Sequence, residues 1–204
     1  TEIYTLSLHD ALPIWGGILG PNVPAFNNLT VFDSRSLTLA VNIDVNGNLI
    51  LNTGATLNDA GYTIFVAGDY TENGTAARTG SGTMEFDGTV CNVTGTVTLN
   101  NANFKSSAAF ISAGSTTTFT GNFTVSNSCS FSAQSSSYIA GNFEVSSGTF
   151  TQTDNFYTYF NSASSQTINA ANATFERVNF LNGGAGSPKN IVGNLSSLDR
   201  KSVV

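Results

Sequence analysis

The feature that most constrains this chain is a short cassette that keeps returning. A small or apolar residue precedes Gly, then Asn or Asp, then an aromatic or aliphatic residue that starts a run of alternation. It occurs as Asn46-Gly47-Asn48-Leu49-Ile50-Leu51, Ala67-Gly68-Asp69-Tyr70-Thr71, Thr120-Gly121-Asn122-Phe123-Thr124-Val125 and Ala140-Gly141-Asn142-Phe143-Glu144-Val145, with Val192-Gly193-Asn194-Leu195-Ser196 as the last copy. The step from Gly47 to Gly68 is 21, and from Gly121 to Gly141 it is 20. Units this short cannot bury a hydrophobic face alone, so they must stack on their neighbours. A longer spacing lies above this one: the step from Gly47 to Gly121 is 74, from Gly68 to Gly141 it is 73, and from Gly121 to Gly193 it is 72. Phe86 to Phe160 (74) and Phe104 to Phe175 (71) keep nearly the same interval. This predicts a super-repeat of about 73 residues holding about three turns of chain.

Each cassette places Gly where a corner needs positive φ or a tight bend. The following Asn or Asp can bond its own backbone in a turn. Alternation such as Phe123-Thr124-Val125 then sends apolar side chains to one face and polar ones to the other. Coils of short strands stacked through parallel ladders at roughly 4.8 Å would satisfy the backbone throughout. The expected fold is therefore all-β: a parallel β-helix, or β-solenoid, of about seven or eight coils of 20–27 residues.

Composition agrees and narrows the function classes. Ser, Thr and Asn fill 74 of 204 positions and charged residues only 10%, well below the roughly 25% usual for soluble domains. Fifteen Phe and six Tyr supply a core, which argues against disorder. Poor helix formers predominate, so a helical bundle is excluded. A net charge of −6 with seven basic residues argues against binding a phosphate backbone, so no nucleic-acid partner is expected. No apolar run approaches the roughly 20 residues of a membrane span, so no membrane insertion is expected.

The two ends read differently. Thr1 to Ile14, TEIYTLSLHDALPI, resembles the in-frame translation of a short-read sequencing adapter, with Trp15 spanning the junction. Asp199 to Val204, DRKSVV, resembles the reverse complement of the same adapter. Residues 1–15 are thus expected to be an adapter-derived head and 199–204 an adapter-derived tail; residues 1–14 and 199–204 should make few native-like contacts or be placed arbitrarily, and both ends are set aside from fold reasoning. Residues 16–36, with Pro21 and Pro24, read as a lead-in coil. Residues 37–198 read as the solenoid proper, with a loop between coils over 183–188.

Between Leu37 and Leu198 the cassettes resemble the β-solenoid repeats of secreted surface proteins of Bacteroidota-type bacteria, described as adhesin-like or haemagglutinin-like. The resemblance rests on Val66-Ala67-Gly68-Asp69-Tyr70-Thr71-Glu72-Asn73-Gly74-Thr75, on Gly82-Thr83-Met84-Glu85-Phe86-Asp87-Gly88, and on Thr174-Phe175-Glu176-Arg177-Val178-Asn179-Phe180. It implies a right-handed helix, export to the cell surface or beyond, and a place beside neighbouring domains of a longer chain. The role it implies is that of a non-catalytic stalk or a surface that contacts glycans or other cell-surface components.

Candidate sites are few. Asp44-Val45-Asn46-Gly47-Asn48 begins like a calcium loop, but Gly stands fourth and Ala55 occupies the twelfth position, where a bidentate Glu is required. The Gly183-Gly184-Ala185-Gly186-Ser187 run lacks the Asp of calcium-binding glycine-rich repeats. A polysaccharide lyase or glycoside hydrolase would need facing carboxylates, and Asp69, Glu72, Glu85 and Asp87, with Arg78, are the candidates. Asp69 holds a turn position filled elsewhere by Asn, however, and Glu85 and Asp87 should point outward around Phe86. Threonine runs over 94–98, 116–120 and 149–153 suggest an ice-binding ladder. The step from Thr96 to Thr118 is 22 but that from Thr118 to Thr151 is 33, which breaks it. Cys91 and Cys129, separated by a step of 38, are expected to be separately buried thiols. Phe104, Phe110, Phe119, Phe123, Phe131 and Phe143 are expected to form an internal stack. No catalytic residue, metal ligand or cofactor is assigned.

Overall fold

Alternation in the sequence becomes alternation across a wall. In Ile43–Val45, Ile64–Val66 and Phe123–Val125 the first and third side chains are buried and the middle one is half-buried. A computed structural model describes residues 4–7, 23–111, 115–153, 155–181, 188–193 and 196–197. Among them there is no helix; every element is a strand of two to seven residues, and every strand pairing is parallel. The chain winds as a β-solenoid with three walls per turn, and eight turns run from Ala25 to Phe180.

The first wall stacks Ile43–Val45, Ile64–Val66, Thr83–Phe86, Asn101–Phe104, Phe123–Val125, Phe143–Val145 and Gln166–Asn169. The second runs from Leu49–Leu51 through Tyr70–Glu72, Val90–Thr94, Ala108–Ile111, Ser130–Ala133 and Thr149–Gln152 to Ala173–Phe175. The third consists of two ladders, Ser36–Thr38 to Ala77–Thr79 and Thr96–Leu99 to Arg177–Phe180.

Stacking lays like over like inside the rod. Its first coils are aliphatic, with Leu29, Leu49, Leu51, Leu57, Ile64 and Val66 all buried. From Phe86 onward the core is aromatic. Phe86 and Phe104 stack with centroids 4.7 Å apart, Phe123 and Phe143 at 5.2 Å, and Phe131 and Phe150 at 5.3 Å, each pair within about 10° of parallel. Phe104, Phe119, Phe123, Phe131 and Phe143 face inward as expected. Phe110 does not: in Ala108–Ile111 it is an outward, half-buried position, because its neighbours Ala109 and Ile111 take the inside.

The corners hold a second repeating device. Asn48 N–H donates to Asn28 Oδ1 (2.8 Å), Asp69 N–H to Asn48 Oδ1 (2.9 Å) and Asn92 N–H to Asp69 Oδ1 (2.8 Å), joining the first and second walls. At the corner between the third and first walls, Asn122 N–H donates to Asn101 Oδ1 (2.9 Å), Asn142 N–H to Asn122 Oδ1 (3.0 Å) and Thr167 N–H to Asn142 Oδ1 (2.9 Å). These side chains therefore bind the backbone of the next coil, not their own turn. The glycine before them serves closeness more than positive φ: a Cβ on Gly141 would collide with the Gly121 carbonyl oxygen.

Those two corners show that the super-repeat of about three turns does not close on whole turns. Leu49 sits on the second wall, opposite Tyr70, whereas Phe123 sits on the first, opposite Ala102. The chain between Gly47 and Gly121 thus spans three full turns and two further walls. Two of the three corners use the same Gly-Asn bend, so self-similarity in sequence does not distinguish a whole turn from a turn displaced by one wall.

Within the expected head, Tyr4–Ser7 forms a strand parallel to Ala25–Val31, with an irregular register between Tyr4 and Leu6. The pairing does not bear on where the segment comes from, since backbone ladders form whatever the side chains. The remaining head residues, lead-in residues 16–22, the predicted loop up to Ser187 and the tail lie outside the described residues.

Candidate functional site

Three places concentrate polar chemistry, and the first is inside the rod. In the third coil of the solenoid, three inward positions that are leucines one coil earlier become polar: Leu49 is followed by Tyr70, Leu51 by Glu72 and Leu57 by Arg78. Asp59, just after Thr56–Asn58, supplies the counter-charge. Its Oδ2 lies 2.5 Å from Arg78 Nη2, with the two side chains 0% and 1% exposed. Neither atom has a well-aligned hydrogen bond, so the contact is one of charge. Asp59 Oδ1 accepts from the backbone N–H groups of Gly61 and Gly82, both at 2.8 Å.

Glu72 is the other buried acid. Its Oε1 accepts from the Tyr70 hydroxyl and from Arg78 N–H. Burial pushes its carboxyl up to about 7, against the opposing pull of these donors and the guanidinium. Burial, reinforced by Glu72, raises the Tyr70 phenol well above its ordinary range, and burial lowers Arg78 while Asp59 holds it up. One guanidinium faces two carboxyls here, and the ion pair goes to Asp59. All four groups are closed to solvent, so the cluster anchors coils to one another and cannot receive a polymeric substrate.

The carboxylates named from the sequence are separated by the wall itself. Glu72 is inside, Asp69 sits in the corner ladder, and Glu85 and Asp87 lie outside on the first wall, as expected. Asp69 Oδ1 also accepts from Asn92 Nδ2 at 2.8 Å. Glu85 pairs with Lys105 at 2.7 Å and accepts from Asn103 Nδ2 at 3.3 Å. Asp87 is exposed at its rim, and partial burial together with Asp44 and Glu85 raises its carboxyl. Among the described residues, no three His, Cys, Asp or Glu side chains are grouped to hold a metal ion. Cys91 and Cys129 are both buried and form no disulfide with each other.

The third place is the outer face of the third wall. Thr96 and Thr98 lie in register beneath Thr116 and Thr118, so a two-by-two threonine array does form. Thr96 pairs with Thr116 and not with Thr118, because the step between these two strands is 20 residues and not 22. In the next coil Thr118 is followed by Tyr138, and above that by Tyr159, which ends the array. Tyr138 and Tyr159 stack at 4.5 Å and 7°, Tyr157 lies 5.4 Å from Tyr159, and the Arg177 guanidinium lies 5.3 Å from the Tyr157 ring. Arg177 also donates to Asn155 Oδ1 (3.0 Å).

Sequence reasoning misses Asp59 and the tyrosine stack. A signal for Arg78 exists: in Ala77-Arg78-Thr79 it takes the alternating inward position, one coil on from Leu57. Asp59 has no such signal, since its turn would equally suit a solvated carboxylate. Compared with family models, curated proteins and solved structures, the chain matches none.

Proposed function

We propose that this chain is a non-catalytic segment of an extracellular β-solenoid, serving as a rigid spacer or adhesin-like surface that meets glycans or other cell-surface components beside further domains. The observation that carries this reading is the in-register stack of eight turns. Buried charge in that stack joins coils, and among the described residues no carboxylates converge on an open cleft. A parallel rod of this kind resists bending, because each coil is tied to the next along the first and second walls, and along the third wall everywhere but between Ala77–Thr79 and Thr96–Leu99.

The test has two arms. Placed between two fluorophores, the chain should hold them at a narrow distance distribution, unlike a Gly/Ser linker of equal length. On a panel of surface glycans, any binding should survive Glu85→Gln and Asp87→Asn. Turnover of an acidic polysaccharide that is lost in those same variants would replace this reading with the lyase or hydrolase alternative. The threonine array favours one second reading, ice binding, which a thermal-hysteresis measurement of zero dismisses. The adapter origin of residues 1–14 and 199–204 is tested by sequencing the surrounding source DNA.

A further inference from the structure

The tyrosine stack carries chemistry that a spacer does not use. Tyr138 and Tyr159 are Cα partners on adjacent parallel strands, Ser137–Ile139 and Tyr157–Phe160. In-register parallel pairing makes both side chains leave the wall in the same direction. Their rings face each other at 4.5 Å and 7°, which sets the two phenolic edges and their ortho carbons side by side. Both residues are half-buried and reach solvent. The comparable stacks Phe86–Phe104, Phe123–Phe143 and Phe131–Phe150 lie inside the rod and carry no hydroxyl.

We propose that Tyr138 and Tyr159 form an oxidative cross-linking site, at which a one-electron oxidant of the haem-peroxidase class, consuming hydrogen peroxide, joins two adjacent coils through an intramolecular dityrosine bond. Each phenol gives up one electron and its hydroxyl proton, leaving a phenoxyl radical whose spin extends to the ortho carbons. One ortho carbon of each ring bonds to the other. Each then loses its hydrogen as a proton while the ring regains aromaticity and its oxygen regains a proton. Two tyrosines and one hydrogen peroxide thus become one dityrosine and two waters. Tyr157, 5.4 Å from Tyr159, can pass a radical into the pair. Its backbone N–H meets Ser136 Oγ in the coil below, so it faces no tyrosine across the strands. The bond would close one turn of chain on itself and restrict the unfolded state, as a disulfide does.

The experiment treats the whole chain with a haem peroxidase and limiting hydrogen peroxide, at low protein concentration, with and without urea. A glutamyl endopeptidase then cuts after Glu144, which separates Tyr138 from Tyr159. The expected native product is a monomer with dityrosine fluorescence, in which the two peptides are joined and two hydrogens are missing. Y138F and Y159F should each abolish it, and Y157F should retain it. The oxidised monomer should also unfold at a higher urea concentration. The proposal is overturned if native protein yields no such bond, if the bond forms equally in urea, if it joins separate chains, or if it persists in Y138F. The comparison with and without urea needs no variant, so a misfolded Y138F would not shelter the idea.

Discussion

Asp59 Oδ2 and Arg78 Nη2 meet at 2.5 Å inside the rod, across one coil step. Arg78 stands over Leu57 and Leu37 in its column, so the position is apolar for two coils and charged in the third. A buried pair of this kind adds little net stability over an apolar pair of similar shape, yet it is costly to break. Slipping the third wall by one residue would turn Arg78 outward and strand Asp59. The pair therefore holds the stacking register just below the point where the core changes from aliphatic to aromatic.

Arg78→Ala should destabilise the chain by about 3–5 kcal/mol, because it leaves a buried carboxylate without its cation. Arg78→Leu combined with Asp59→Asn should recover most of that loss, since Leu continues the column and the amide oxygen can still accept from Gly61 and Gly82. Urea denaturation of the three proteins checks this, and equal destabilisation in the single and double variants would contradict it.

Glu72 gives stability a definite pH dependence. Its carboxyl sits at about 7 in the folded chain against an ordinary 4.5. Folding therefore favours the protonated form, and this contribution is fully present below 4.5 and lost as pH rises through about 7. The gap corresponds to about 3 kcal/mol between the two limits. Glu72→Gln should remove that slope and leave the variant more stable than the parent above about pH 7. Tyr70 and Arg78 face Glu72, and an unchanged pH profile in Glu72→Gln would assign the slope elsewhere.

Phe123 touches the rings of Phe104, Phe119, Phe131, Phe143 and Phe150. Phe123→Ala should cost about 3–5 kcal/mol, and Phe123→Asp should prevent folding. Phe110→Ala, on the outer face, should cost less than about 1 kcal/mol. Thermal unfolding followed by circular dichroism separates the two positions.

Removing one rung of the corner ladder should act locally. Asn122→Ala takes away the acceptor for Asn142 N–H, at a cost of about 1 kcal/mol. Hydrogen exchange at that amide should accelerate in the variant while exchange at Val125 and Val145 changes little. A uniform acceleration along the rod would mean that the ladder supports the whole stack.

Much of the solenoid was legible because a parallel stack repeats its demands. Alternation marks the walls, Gly-Asn marks the corners, and the inward places of Phe123 and Phe143 follow from period two alone. Legibility ended where two corners of the coil share the same dipeptide. Leu49 and Phe123 follow the same dipeptide on different walls, and Thr116 falls over Thr96 only once the length of that coil is known.

The sequence by itself determined that this chain winds, that its strands are short and parallel, and most of the apolar side chains that line its interior, because these depend on local alternation and spacing. Only the tertiary structure decided which coil lies over which residue. That choice brings Asp59 to Arg78, leaves Glu72 with a tyrosine hydroxyl and a backbone amide, and sets Tyr138 against Tyr159. The ion pair and the tyrosine pair each join one coil to the next, and a change of one residue in the intervening chain would have given both a different partner.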